Sequence, residues 1–376
     1  MRTGKKSQVE ITFNWIYLLI AGAVILLFFV GIVVKQKVVA EEQLASEVVE
    51  VMDTIFAGAG VSEKTKNFID TSGLADYTLY FNCEIDSQGK SLSEFGIKEK
   101  GSSIQSRIEP IFSPQELKAT KMVLWSLPYN FPFKVVDNLL VTSLNTKYFI
   151  LNSQDKFFEE FLNAIQGFNV KDIPDLSFIN PENNFQIRII DLDGLFIKEN
   201  QFVSDSLLPL EDDKVTALVF TGPNQITYYQ KQGAQWKKMH PHPITIISIA
   251  KERDAAKYAA IFSANDQTYQ CNMLKAFQRL QYLLEIYEKK AKEMNQYYLD
   301  NPGLGFSKDC PLYIQGPYSL EDGKETSLFI ALDNLKNSLG ACLIKPEFCS
   351  GLISPAQQLQ QVNRDLGEKG DCLTLY

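Results

Sequence analysis

Only two imidazoles occur in the 376 residues, and they stand together in His240-Pro241-His242. Histidines two positions apart can share a metal ion when both leave the same strand face. Pro241 and Pro243 interrupt a regular strand at this point, and no cysteine is adjacent, so the spacing reads first as a loop. Asp191-Leu192-Asp193-Gly194 is the other candidate. It could open a calcium loop, but Leu195-Phe196-Ile197 supply none of the further side-chain oxygens such a loop needs. A strand-terminating turn accounts for it more simply. Taken together, His240, His242, Asp191 and Asp193 define one alternative, a membrane-tethered metal-dependent hydrolase. The nucleophile elbow, the P-loop, the HExxH zinc pattern and the dinucleotide fingerprint are all missing. A serine or cysteine nucleophile would have only these two histidines as its base. No cofactor is expected.

The six cysteines carry a different chemistry. None shows CxxC spacing, which argues against a zinc ribbon or a redox pair. Five of them fall after residue 270. Their even number, in a chain with a membrane anchor, reads as a disulfide set, with buried free thiols as the other reading. The anchor is residues 13–34, FNWIYLLIAGAVILLFFVGIVV, which contain no charge. About 20 apolar residues at about 1.5 Å per residue span a hydrocarbon core of roughly 30 Å. Arg2, Lys5 and Lys6 precede this run; Lys35 and Lys37 follow it, then Glu41 and Glu42. That bias places the N-terminus in the cytoplasm and the bulk outside. The net charge is −8, and the basic tip makes the remainder more acidic still. A nucleic-acid partner is therefore excluded, as is attachment to anionic lipid by anything except the anchor. No N-x-S/T glycosylation site occurs.

Lys5-Lys6-Ser7-Gln8-Val9-Glu10 runs directly into the apolar stretch. This junction resembles the class III, prepilin-type signal of archaeal type IV pilin-like proteins. The resemblance implies cleavage between Ser7 and Gln8, with Glu10 near the new N-terminus. It also implies pilin-like or other surface subunits as partners, beside the lipid bilayer. Ser7 stands where the family usually has Gly or Ala, and Glu10 is closer to the Gln than the family's Glu. A plain signal anchor and cleavage after Val38-Val39-Ala40 are the alternatives. The remainder looks like uncharacterised single-pass archaeal surface proteins, which imply no activity.

The elements that must position these groups follow from periodicity. Leu44, Val48, Val51, Met52 and Ile55 recur at helical spacing, with Glu41, Glu42, Glu47 and Glu50 opposite and Gly58 and Gly60 at the end. The transmembrane helix is thus expected to continue into an amphipathic stalk. Alternation predicts strands at 76–83, 104–112, 122–127, 139–143, 148–151, 185–192, 215–220, 226–230, 244–249 and 258–262. Ser113 to Leu117 reads as a helical turn with proline at its first position, and 154–165 as a helix capped by Ser153. Gly222-Pro223-Asn224 joins two strands as a hairpin. In the last third, Met273, Phe277, Leu280, Leu284, Tyr287, Ala291, Met294 and Tyr298 step by four and three along one long helix. Shorter helices follow at 326–341 and 355–366. Because the seam ends within one element, it reads as the core helix of a small bundle, with coiled-coil assembly as the alternative.

The expected architecture is α+β. It has a cytoplasmic tip and transmembrane helix (1–37), a stalk helix (38–70), a mixed β-sheet domain (71–262) and a disulfide-linked helical region (263–376). Six cysteines allow 15 pairings, and helix lengths narrow them. The long helix runs roughly 40 Å at about 1.5 Å per residue, which leaves Cys271 at one end and Cys310 near the other. A helix running back returns Cys342 and Cys349 together around Pro346, and the last helix brings Cys372 to Cys310. Cys83, on a strand, remains for Cys271. The functional expectation is a single-pass, extracytoplasmic structural or binding protein without catalysis.

Overall fold

Residues 43–376 are described by a computed structural model, apart from 61–64, 75, 87–88, 99–100, 107–108, 152–155, 181–184, 195–201, 223, 303–308, 321–322 and 324. The apolar run 13–34 and the junction residues Ser7, Gln8 and Glu10 lie outside the described residues. Among the described residues no helix is long and apolar enough to cross a membrane.

Helix α1 (43–60) buries Ala45, Val49, Met52, Phe56 and Ala59, a stripe repeating by four and three. That stripe packs on Phe81, Phe95, Leu124 and Val141, with the Phe56 ring edge-on to Phe95 at 5.0 Å. The expected face is thus displaced by one residue. Leu44 and Val51 are exposed, while Val48 and Ile55 are half-buried. The helix lies on its own chain instead of standing as a stalk to residue 70, and β1 (Lys66–Asp70) already belongs to a sheet.

The strands then follow as β2 (Leu79–Ile85), β3 (Ser91–Ile97), β4 (Ser102–Ser106), β5 (Ile111–Phe112), β6 (Glu116–Leu117), β7 (Lys121–Asn130), β8 (Lys134–Ser143) and β9 (Thr146–Leu151). Two four-stranded sheets result, in the orders β1-β7-β8-β5 and β4-β3-β2-β6. Glu116 and Leu117 pair with Tyr80 and Leu79, so the segment expected as a helical turn is an edge strand. Tertiary pairing overrides the local preference of Pro114 there. Strand β7 runs through Pro128, which pairs with Asp137 on β8. β1 reaches only as far as Trp125, so the missing N–H costs no ladder bond on that side.

The third sheet has seven strands. Helix α2 (Lys156–Ala164) carries the chain from β9 to β10 (Asn169–Ile173), which pairs parallel with β9. β11 (Gln186–Asp191) pairs parallel with the other side of β9, and β12 (Val215–Gly222) parallel with β11. β13 (Gln225–Gln232) and β14 (Gln235–Lys238) continue antiparallel, and β15 (Ile244–Thr245) joins β13. Strand alternation sorts the side chains. Ile150, Ile190, Leu218 and Tyr228 face the helices. Leu151, Ile189, Val219 and Tyr229 face a second core closed by Leu176, Leu207 and Leu210.

Residues expected as a strand at 258–262 form helix α3 (Ala255–Phe262), which starts where Asp254 accepts from the Ala256 and Lys257 amides. Helix α4 (Asp266–Asp300) is N-capped by Asn265 and extends the predicted seam at both ends. A single-turn helix α5 (Cys310–Ile314), the short pair β16 (Tyr318–Ser319) and β17 (Glu325–Thr326), helix α6 (Leu328–Ile344) and helix α7 (Ile353–Glu368) complete the chain. Three disulfides join Cys83 to Cys271, Cys310 to Cys372 and Cys342 to Cys349, with Cα separations of 5.8, 5.8 and 4.4 Å. The first clamps β2 to α4. The second ties the C-terminus to α5. The third closes the turn between α6 and α7.

Candidate functional site

A cleft of about 320 Å³ opens where the amino ends of β9, β11 and β12 meet the carboxyl end of α3 and the β6 edge. Thr142, Thr146, Tyr148, Gln186, Arg188, Thr216, Gln230 and Ser263 supply its inner polar groups. Arg188 is built into the wall by strand alternation, because Ile187 and Ile189 take the opposite face. Its side chain is 5% exposed. Nε donates to the Ile261 carbonyl at 3.3 Å. Nη1 donates to Thr216 Oγ1 at 3.0 Å and to the Ala264 carbonyl at 3.3 Å. Nη2 donates to the carbonyls of Ser263 at 2.7 Å and Ala260 at 3.4 Å. One guanidinium therefore satisfies the last carbonyls of α3, where a cation also meets the negative end of the helix dipole. The Tyr228 ring lies 5.3 Å from the guanidinium carbon, and its hydroxyl donates to the Ala260 carbonyl at 2.9 Å. Burial lowers the Arg188 pKa from its ordinary value, and the tyrosines Tyr228 and Tyr148 oppose that shift.

Tyr148 and Thr142 share a hydrogen bond of 2.6 Å. Burial pushes the Tyr148 hydroxyl up to about 12, partly offset by Thr142 and Arg188. The Ser263 hydroxyl donates to the Ala259 carbonyl at 2.7 Å. These groups are held as hydrogen-bonding partners, and the lining contains neither histidine nor cysteine to serve as base or nucleophile. Glu211 and Lys214, at the rim, pair at 2.5 Å. All five guanidinium N–H bonds are engaged by the protein, so the arrangement suits a small polar molecule that exchanges hydrogen bonds with the hydroxyl and amide groups of the lining.

The residues expected to bind metal are not brought together. Asp191 pairs with Val219, and Val219 with Thr227. The histidines follow β14, on the far side of β13. Two strands intervene, which is roughly 14 Å at about 4.8 Å per strand step. Asp191 is buried and accepts from the Asp193 amide at 3.1 Å, closing the turn that Gly194 completes at φ +71°. His240 Nδ1 is engaged by its own loop, 2.9 Å from the His242 carbonyl and 3.3 Å from the His242 amide. Among the described residues no group of three or more His, Cys, Asp or Glu side chains is placed to hold a metal ion.

Sequence reasoning passed over Arg188. The signal was present in Gln186-Ile-Arg-Ile-Ile190, where one charge interrupts an apolar strand. A lone buried arginine on a strand needs a set of acceptors, and the end of a helix provides one. The fold and cleft define a mixed α+β, disulfide-bonded protein with a polar inter-sheet cleft. No family model, curated protein or solved structure matches the chain.

Proposed function

We propose that this chain is a single-pass, membrane-anchored protein whose bulk lies on the extracytoplasmic side and acts there as a binding or structural component, not as a catalyst. The observation that carries the reading is the use of all six cysteines in three bridges. Structural disulfides persist in oxidising compartments and are rare in a reducing cytosol. The uncharged run 13–34 supplies the anchor. The cleft at Arg188 supplies a surface for a small polar ligand. The prepilin-like junction at Ser7, Gln8 and Glu10 supports the finer version, a pilin-like surface component in contact with other subunits.

Recovery of the protein from its native membrane tests this. Alkaline carbonate is expected to leave it in the membrane pellet, and peptide mapping without reductant is expected to return the three bridges. An N-terminus at Gln8 supports pilin-type processing, and one at Met1 supports a plain anchor. Six free thiols, or a carbonate-soluble chain beginning at Glu41, would overturn the proposal.

A further inference from the structure

Helix α1 carries two apolar stripes; its own chain buries one and reaches only the edge of the other, where it packs on Val48 and Ile55. Ala45, Val49, Met52, Phe56 and Ala59 are buried on the sheets. Leu44, Val48, Val51 and Ile55 repeat by four, three and four, one residue earlier and therefore about 100° round the helix. Leu44 is 53% exposed and Val51 58%. We infer that this second stripe is the seam of a parallel, in-register pair with α1 of a second copy of the chain. The inference rests on the membrane tether proposed above.

Residue type, charge and connectivity favour this occupant. In heptad terms Val48 and Ile55 take the a positions, Leu44 and Val51 the d positions. β-branched Val48 and Ile55 at a with Leu44 at d favour two parallel strands, and Val51 takes the other d position. Glu50 and Asp53 lie away from the seam, and Glu47 alone flanks it. In a parallel pair Glu47 lies towards position 52, whose Met52 side chain is buried on its own sheets, so no like charges meet across the interface. A lipid surface fits poorly, because residues 38–63 include no lysine or arginine and an interfacial helix needs a basic polar face. The chain before α1 gives the direction. Eight residues separate the run 13–34 from Gln43, so every anchored copy presents α1 the same way round, close to the membrane. Two heptads alone make a weak pair. Confinement to one membrane raises the effective concentration without adding any contact.

Single added cysteines in the full-length chain, oxidised in native membranes, test the seam. The native cysteines are all bridged, so the new thiol is the free one. Ser46 is exposed and lies on the opposite side of α1. Val51→Cys and Leu44→Cys are expected to give covalent dimer at about ten times the yield of Ser46→Cys, and Val48→Asp is expected to remove that excess. Equal yields at positions 46 and 51 would overturn the pair. A mixture of Leu44→Cys and Val51→Cys chains that links 44 to 51 more than 51 to 51 would replace it with a staggered packing. Carbonate extraction of the same membranes reports separately on the tether. A released chain removes that reading, while the ratio of yields still decides the seam.

Discussion

Helices α4 and α1 both repeat apolar residues at steps of three and four, yet their surroundings differ. In α4 the seam of Met273, Phe277, Leu280, Leu284, Ala291, Met294 and Tyr298 is buried, with Tyr287 half-buried between them. Helices α5 and α6 pack on it and α7 packs on both in turn, while disulfides close the turn between α6 and α7 and tie the C-terminus to α5. Among the described residues helix α1 has only the two small sheets beside it; they bury one stripe and half-cover Val48 and Ile55 of the other. Heptad spacing therefore announces a seam without saying which chain covers it. Connectivity after the helix, and the area available to return, make that choice.

The largest effect is expected where the seam is fully covered. Leu280 has no exposed surface, so Leu280→Ala should cost about 2–5 kcal/mol in urea unfolding of a soluble fragment from residue 43. Met52→Ala, in the covered stripe of α1, should cost about 2 kcal/mol, the lower end of that range, because less of the chain packs round it. A loss below about 1 kcal/mol at Leu280 would break the contrast between the helices.

A second difference is electrostatic. Helix α4 buries Lys275, whose Nζ donates to the Glu109 carbonyl at 3.1 Å, whereas the described part of α1 has no lysine. Burial lowers the Lys275 pKa to about 7, with Glu109 acting in the opposite sense. The unfolded side chain titrates near 10.4. Between those values the unfolded state binds more protons, so stability should rise with pH, by up to about 1.4 kcal/mol per pH unit. The clean window is pH 7 to 9, below the titration of unfolded tyrosines. Urea midpoints measured there should climb in the native chain and lie flat in Lys275→Met. Equal slopes would mean that Lys275 stays charged in the fold.

What could be read from the sequence follows the same division. The three bridges agree with the pairing argued from helix lengths, because α4, α6 and α7 are long, strongly periodic elements whose ends place the cysteines. Short elements were misread where tertiary contacts decide. Tyr258 to Phe262 suits a strand by composition, but Asp254 caps a helix whose carbonyls Arg188 then satisfies. Only Ile244 and Thr245 of the strand expected at 244–249 pair with β13. The cleft was invisible because β8, β9, β11, β12, β13 and the residue after α3 each supply one or two ordinary polar residues, and only topology brings them together.

The smallest expected effect is the most discriminating. Val51 and Met52 are neighbours in sequence, yet one is 58% exposed and the other 4%. If the seam through Val51 serves a second copy, then Val51→Asp should leave the stability of the soluble, monomeric fragment within about 0.5 kcal/mol of the native value, as at other exposed sites. In the full-length chain held in a membrane, the same substitution would place two carboxylates face to face across a desolvated seam, and pairing should be lost. A soluble fragment destabilised as much by Val51→Asp as by Met52→Ala would show that α1 buries both stripes within one chain. The stripe would then be part of the fold, and the contrast with α4 would disappear. Unchanged pairing in the membrane, with the fragment equally unaffected, would instead leave α1 with a solvated face.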